Sequence, residues 1–130
     1  MNKILVEVSV GELLDKISIL EIKKEKIKDP EKLKFINDEH NILKKQLDQN
    51  VISNDKIKSL FKSLKEINKK LWLIEDNKRM CEKNSDFSEK FIRLSRDVHF
   101  LNDDRAKIKL KINEHSGSKI REIKEYIKYD

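Results

Sequence analysis

Residues 9–27 read S-V-G-E-L-L-D-K-I-S-I-L-E-I-K-K-E-K-I, and this stretch decides the fold. Ser9 and Glu12 form an S-x-x-E capping box, which starts a helix. Leu13, Leu14, Ile17, Leu20 and Ile27 recur at helical spacing. Ile19 and Ile22 fall on a second side. A helix with two apolar faces packs against more than one neighbour.

Toward the N-terminus, residues 3–10 read K-I-L-V-E-V-S-V. Ile4, Val6, Val8 and Val10 alternate with other residues at a period of two, which predicts a short strand. A lone strand leaves its edges unpaired. It would pair with the same strand of another subunit or lie as an extended arm on the helices.

Toward the C-terminus, Asp29-Pro30 ends the first helix and starts the next, with Asp29 as cap and Pro30 at the first helical position. The second helix, about residues 30–49, carries Leu33, Ile36, His40, Leu43 and Leu47, a coiled-coil-like seam. His40 is expected as a satisfied polar group within it. Ser53 or Asn54 caps the third helix, about residues 55–83. Its seam is Ile57, Leu60, Leu64, Ile67, Leu71, Ile74 and Cys81, interrupted by Lys78. A second row holds Phe61, Asn68, Trp72, Glu75, Arg79 and Glu82. Asp86 and Glu89 make another capping box. The fourth helix, about residues 87–114, carries Phe87, Phe91, Leu94, Val98, Leu101, Ile108 and Ile112, with Arg105 in a seam position. Gly117 is the left-handed cap. Ser118 then starts a short helix with Ile120, Ile123 and Ile127.

The expected fold is all-α: an antiparallel bundle of four main helices, a short C-terminal helix and a short extended N-terminal strand. Residues 1–130 make one domain. Helices of roughly 28 residues reach about 42 Å, long for so small a domain. A thin, long bundle leaves apolar surface uncovered, so a homodimer or larger homo-oligomer is expected.

Composition agrees. The 130 residues include 2 glycines and 1 proline, too few for the turns of a sandwich or barrel. No run of roughly 18 apolar residues offers a membrane span. The first residues carry too short an apolar run for a secretory signal. The single cysteine, Cys81, makes no internal disulfide, which fits a reducing compartment. The expected location is the cytoplasm, and Cys81 is expected as a small buried hydrophobe. Net charge is +6. Lysines alternate with acids rather than clustering, and alanine occurs once, at Ala106, as an AT-rich genome would produce. The charge therefore describes a solvated face, and nucleic acid is not the expected partner.

The informative residues are polar ones on apolar faces. On the first helix these are Asp15, Lys16 and Glu21. On the third, Asn68, Trp72, Glu75 and Arg79 share a stripe with Asp76 beside it. On the fourth, Asn102, Arg105 and Lys109 follow Leu94 and Val98, with Asp103 and Asp104 adjacent. Burying a charge without a partner costs several kcal/mol. Two arrangements satisfy them. One is an interhelical cleft in which Lys16, Arg79 and Arg105 hold an anionic small molecule. There Trp72 would be a stacking wall, and Glu75 or Asp76 a base or metal ligand. The other is an internal salt-bridge network that fixes register, such as Glu75 with Arg105 or Asp15 with Arg79. No Walker loop, G-x-G-x-x-G, H-E-x-x-H, C-x-x-C or nucleophile elbow is present, and no motif specifies a cofactor.

Three stretches carry a family likeness: residues 9–23 (S-V-G-E-L-L-D-K-I-S-I-L-E-I-K), 67–79 (I-N-K-K-L-W-L-I-E-D-N-K-R) and 102–113 (N-D-D-R-A-K-I-K-L-K-I-N). In them the chain resembles the bacterial and phage family called domain of unknown function 6165, over nearly its whole length. The resemblance implies that Glu12, Asp15, Lys16, Glu21, Trp72, Glu75, Asp76, Arg79, Asn102, Asp103 and Arg105 belong to a shared pattern. It also implies a setting near glycosyltransferase and lipopolysaccharide-assembly genes. It implies no defined activity. The expected function is a binding protein that oligomerises, in cell-surface glycan assembly. The alternative is a small helical enzyme on a phosphorylated or nucleotide-sugar substrate.

Overall fold

A computed structural model describes residues 3–129 and contains four helices. They are α1 (Val10–Lys26), α2 (Pro30–Asn50), α3 (Asp55–Lys83) and α4 (Glu89–Ser116). Ser9 caps α1, its hydroxyl accepting from the Glu12 N–H at 3.0 Å. Asp29 caps α2 through the Glu31 N–H, with Pro30 in the first turn. Asn54 caps α3, accepting from the Ile57 N–H at 2.9 Å. Each cap satisfies a backbone donor that the helix leaves open. Asn54→Ala should therefore lower stability by about 1 kcal/mol in chemical denaturation.

α1 is the hub. Among the described residues it packs against α2, α3 and α4, and α3 and α4 pack against each other. It buries 8 of its 17 residues, whereas α2 buries only Ile36 of 21. This is the consequence of its two apolar faces. The central cluster joins Leu14 to Ile57, Leu60 and Leu64 of α3 and Ile112 of α4. Val10, Leu47, Phe61 and Ile108 close its edges. Cys81 is buried as a small hydrophobe, 3% exposed.

Three local expectations need correction. The fourth helix begins at Glu89 with Ser88 as cap, not at the Asp86–Glu89 box. Asp86 instead accepts from the Ser88 N–H at 3.1 Å, a tight side-chain turn that delays the helix. It follows Ser85, whose φ of 51° reverses the chain after α3. Residues 118–129 form no helix. Ile123 and Ile127 are 82% and 89% exposed and find nothing to pack on. A helix of about a dozen residues is marginal in water without such packing. The segment runs as an irregular strap, tied down by polar contacts. Residues 3–8 form no strand within the described chain, and Ile4, Leu5 and Val6 are exposed. No second strand exists there to satisfy their backbone groups. The Gly117 cap does form, with φ of 68°.

Candidate functional site

Asp15 and Ser18 of α1 project toward α3 and α4. Asp15, 2% exposed, lies among buried leucines and isoleucines of its own helix. Arg105 of α4 donates to it twice, from Nε to Oδ1 at 2.9 Å and from Nη2 to Oδ2 at 2.5 Å. Asn68 of α3 donates to Asp15 Oδ1 at 2.9 Å and to Ser18 Oγ at 2.8 Å. Ser18 returns its own hydroxyl proton to the Asp15 carbonyl. One buried carboxylate thus ties three helices together. Burial pushes the Asp15 carboxyl up. The hydrogen bonds from Arg105 and Asn68, with the charges of Arg105 and Lys109, outweigh it and hold the carboxyl below its ordinary value. Asp15 is ionised and fully engaged, which leaves it no capacity as a general base.

One turn toward the α1 N-terminus, Lys109 Nζ donates to Glu12 Oε2 at 2.6 Å. Beyond it the Gly11 N–H donates to Asn113 Oδ1 at 2.7 Å. Asn113 Nδ2 meets Glu122 Oε2 at 3.3 Å, and the Ser9 hydroxyl donates to Glu122 Oε1 at 2.5 Å. The Val10 N–H donates to Ser118 Oγ at 3.2 Å. The C-terminal strap therefore closes the open N-terminus of α1, where a carboxylate is favoured by the helix dipole. Burial pushes the Glu122 carboxyl up, but the Ser9 hydroxyl, its own backbone N–H, Lys109 and Asn113 together hold it down.

A separate cluster lies further along α1. Lys65 bridges Glu21 at 3.0 Å and Glu25 at 3.2 Å, and Lys69 also reaches Glu25 at 3.2 Å. His40 Nε2 is 3.8 Å from Glu21 Oε2, while its buried Nδ1 has no hydrogen-bond partner among the described residues. The satisfied polar group expected at His40 is therefore not found: neither ring nitrogen makes a hydrogen bond among the described residues.

The candidate residues of the sequence therefore divide. Asp15, Asn102 and Arg105 come together, with Arg105 Nη1 reaching Asn102 Oδ1 at 3.5 Å. Lys16 points outward, 3.9 Å from Glu12, and Glu21 belongs to the Lys65 cluster. Asp103 accepts from the Tyr129 hydroxyl. Trp72 and Glu75 are half-buried on α3, and Asp76 and Arg79 are exposed. Arg79 stands eleven residues, about 16 Å, beyond Asn68 along α3. Of the pairings expected for an internal network, neither Glu75–Arg105 nor Asp15–Arg79 forms; Asp15 takes Arg105. No group of three or more His, Cys, Asp or Glu side chains is placed to hold a metal among the described residues.

Several participants escaped the sequence argument. Ser18 sits one helical turn from Leu14 on the buried face, a signal available in the spacing. Asn113 follows Ile112 and is 1% exposed, which its sequence neighbours do not reveal. Glu122 lies in a segment whose apolar spacing suggested a helix.

Between α4 and the strap lies a cleft of about 220 Å³. Arg105 and Lys109 stand at one edge of the α4 face and Lys107 at the other, with Ala106 and Leu110 between them, and Glu122, Lys124 and Tyr126 belong to the strap. Beyond Asn68, a shallow apolar groove runs between the far halves of α3 and α4. Leu73, Ile74, Phe100 and Leu101 line it, with Lys70 and Asp97 on its rim.

The class defined by these features is an all-helical bundle held by an interhelical ion pair, with no helix long and apolar enough to cross a membrane among the described residues. The chain belongs to the family of unknown function DUF6165, whose profile matches residues 4–129. No curated protein and no solved structure matches it.

Proposed function

We propose that the chain is a binding protein that self-associates through the far half of the α3–α4 hairpin. The observation that carries this reading is the apolar surface left there. Leu73, Met80, Phe87 and Ile92 are each more than half exposed, and Phe100 is 40% exposed. Large apolar side chains left exposed at one end of a small domain, with Leu73 and Phe100 in one groove, favour an interaction site. The groove rim supports a second copy as the occupant. Lys70 and Asp97 lie on the two helices that form the groove, so a two-fold axis running along it would set each lysine against the other copy's aspartate. Ile4, Leu5 and Val6, also exposed, would add apolar surface for a neighbouring copy to cover.

The enzyme alternative has less support. It needs Lys16, Arg79 and Arg105 to converge on one cleft, and each stands in a different environment. The setting in glycan assembly rests on family resemblance alone.

Light scattering on the purified chain tests the reading. The expected mass is a multiple of 15.5 kDa. Leu73→Lys should weaken self-association by about tenfold or more and leave the melting temperature of the separated monomer unchanged. A strict monomer at about 100 μM would remove the proposal.

A further inference from the structure

We propose that the cleft between α4 and the C-terminal strap binds a small monophosphorylated compound carrying a single ring. The cleft, about 220 Å³ and open to solvent along one side, is of a size for one ring with its phosphate. Four cations line it: Arg105, Lys107, Lys109 and Lys124. They are not equivalent. Arg105 is held by Asp15, and Lys109 by Glu12. Lys107 and Lys124 pair with no carboxylate among the described residues, and both are exposed at the cleft.

The pairing of Arg105 prepares it for a second anion. Asp15 takes its Nε and one Nη2 proton, which fixes the guanidinium plane. Nη1 keeps only the 3.5 Å contact to Asn102. A phosphate group has three terminal oxygens and up to two negative charges. Its charge and oxygen count match the two unpaired lysines, Lys107 and Lys124, with Arg105 Nη1 at the opposite edge of the cleft. A carboxylate has one charge and two oxygens and leaves one of these donors to water. The opposing charge in the cleft is Glu122, and its two oxygens are already engaged by Ser9 and Asn113. Ala106 and Leu110 offer an apolar floor, and Tyr126 a ring face, for the uncharged part of the ligand. The site stands apart from the self-association groove and depends on neither reading of it.

Nuclear magnetic resonance titration of the full chain with phenyl phosphate tests the proposal. Saturable amide shifts should concentrate at residues 105–110 and 122–126. Inorganic phosphate and benzoate should bind there at least about tenfold more weakly. Lys107→Glu with Lys124→Glu changes two exposed side chains, so the melting temperature should stay within a few degrees while affinity falls at least about tenfold. No saturable shift at about 10 mM phenyl phosphate overturns the proposal. Equal binding of benzoate, or equal shifts at the lysines of α2, also overturns it, because either marks unspecific charge attraction.

Discussion

Arg105→Met is expected to cost about 3–5 kcal/mol of folding stability at neutral pH. The reason is the asymmetry of the pair. Asp15 is 2% exposed, while the Arg105 side chain is 29% exposed. Removing the arginine strands a fully buried carboxylate with one amide donor, Asn68, still in place. Asp15→Asn strands a cation that can still reach water, so its cost should fall at the lower end, about 3 kcal/mol. The double variant should cost less than the sum of the two, since neither charge is then left alone.

The pH dependence should reverse between wild type and Arg105→Met. In the wild type, the folded Asp15 carboxyl lies below its ordinary value of 3.8. Its contribution is present above that value and is lost as pH falls through the folded pKa. Without Arg105, burial dominates and the folded pKa rises above the unfolded one. Protonation then relieves the strain, so the variant should gain stability relative to wild type toward about pH 3–4. Denaturant titrations of both proteins at neutral and acid pH check this. A cost for Arg105→Met no larger than for a surface lysine would sink the account.

Gly11→Ala should destabilise by about 2 kcal/mol, although alanine is the better helix former by about 1 kcal/mol. A β-carbon at Gly11 would stand 2.6 Å from the Lys109 carbonyl oxygen and 2.9 Å from Asn113 Oδ1. The first of these is backbone within α4 and cannot swing aside. Either α4 moves away or α1 turns, and both motions stretch the Gly11–Asn113 hydrogen bond and the Asp15–Arg105 pair one turn on. Steric overlap therefore outweighs the propensity gain. Thermal unfolding, with amide shifts of Lys109 and Asn113 as the local readout, tests it. An unchanged or raised melting temperature would contradict the close approach.

These residues also show how far the sequence could be followed. Helix positions were legible because their causes are local. Apolar recurrence at three and four, the Ser9 and Asn54 caps and the Pro30 start all lie within one turn of the boundary they set. The two apolar faces of residues 13–22 announced the hub. Where local signals compete, spacing alone does not decide the outcome. Asp86 satisfied the box pattern but spent its carboxylate on Ser88. Ile120, Ile123 and Ile127 had helical spacing but no partner surface.

The candidate site was legible as a set of residue types, not as a set of contacts. Asp15 and Arg105 were both singled out, but their partnership spans 90 positions. Trp72, Glu75 and Arg79 continued the stripe of Asn68 on α3. With 17 residues, α1 spans about 25 Å, while the 29 of α3 span about 43 Å. Past Asp15, α1 meets α3 at Lys65 and Lys69 through Glu21 and Glu25, so it crosses away from the stripe and leaves Trp72, Glu75 and Arg79 without a partner on α1. Periodicity assigns a face to a residue; it does not say how a neighbouring helix crosses that face.

The amino-acid sequence by itself determined the helical class, the four helices and the central role of the first, because spacing and capping act within a turn or two. Only the tertiary structure decided which charge meets Asp15, that Gly11 lies against α4, and that the last residues strap across α1 rather than coil. Those outcomes depend on which groups remain unsatisfied once the helices have packed.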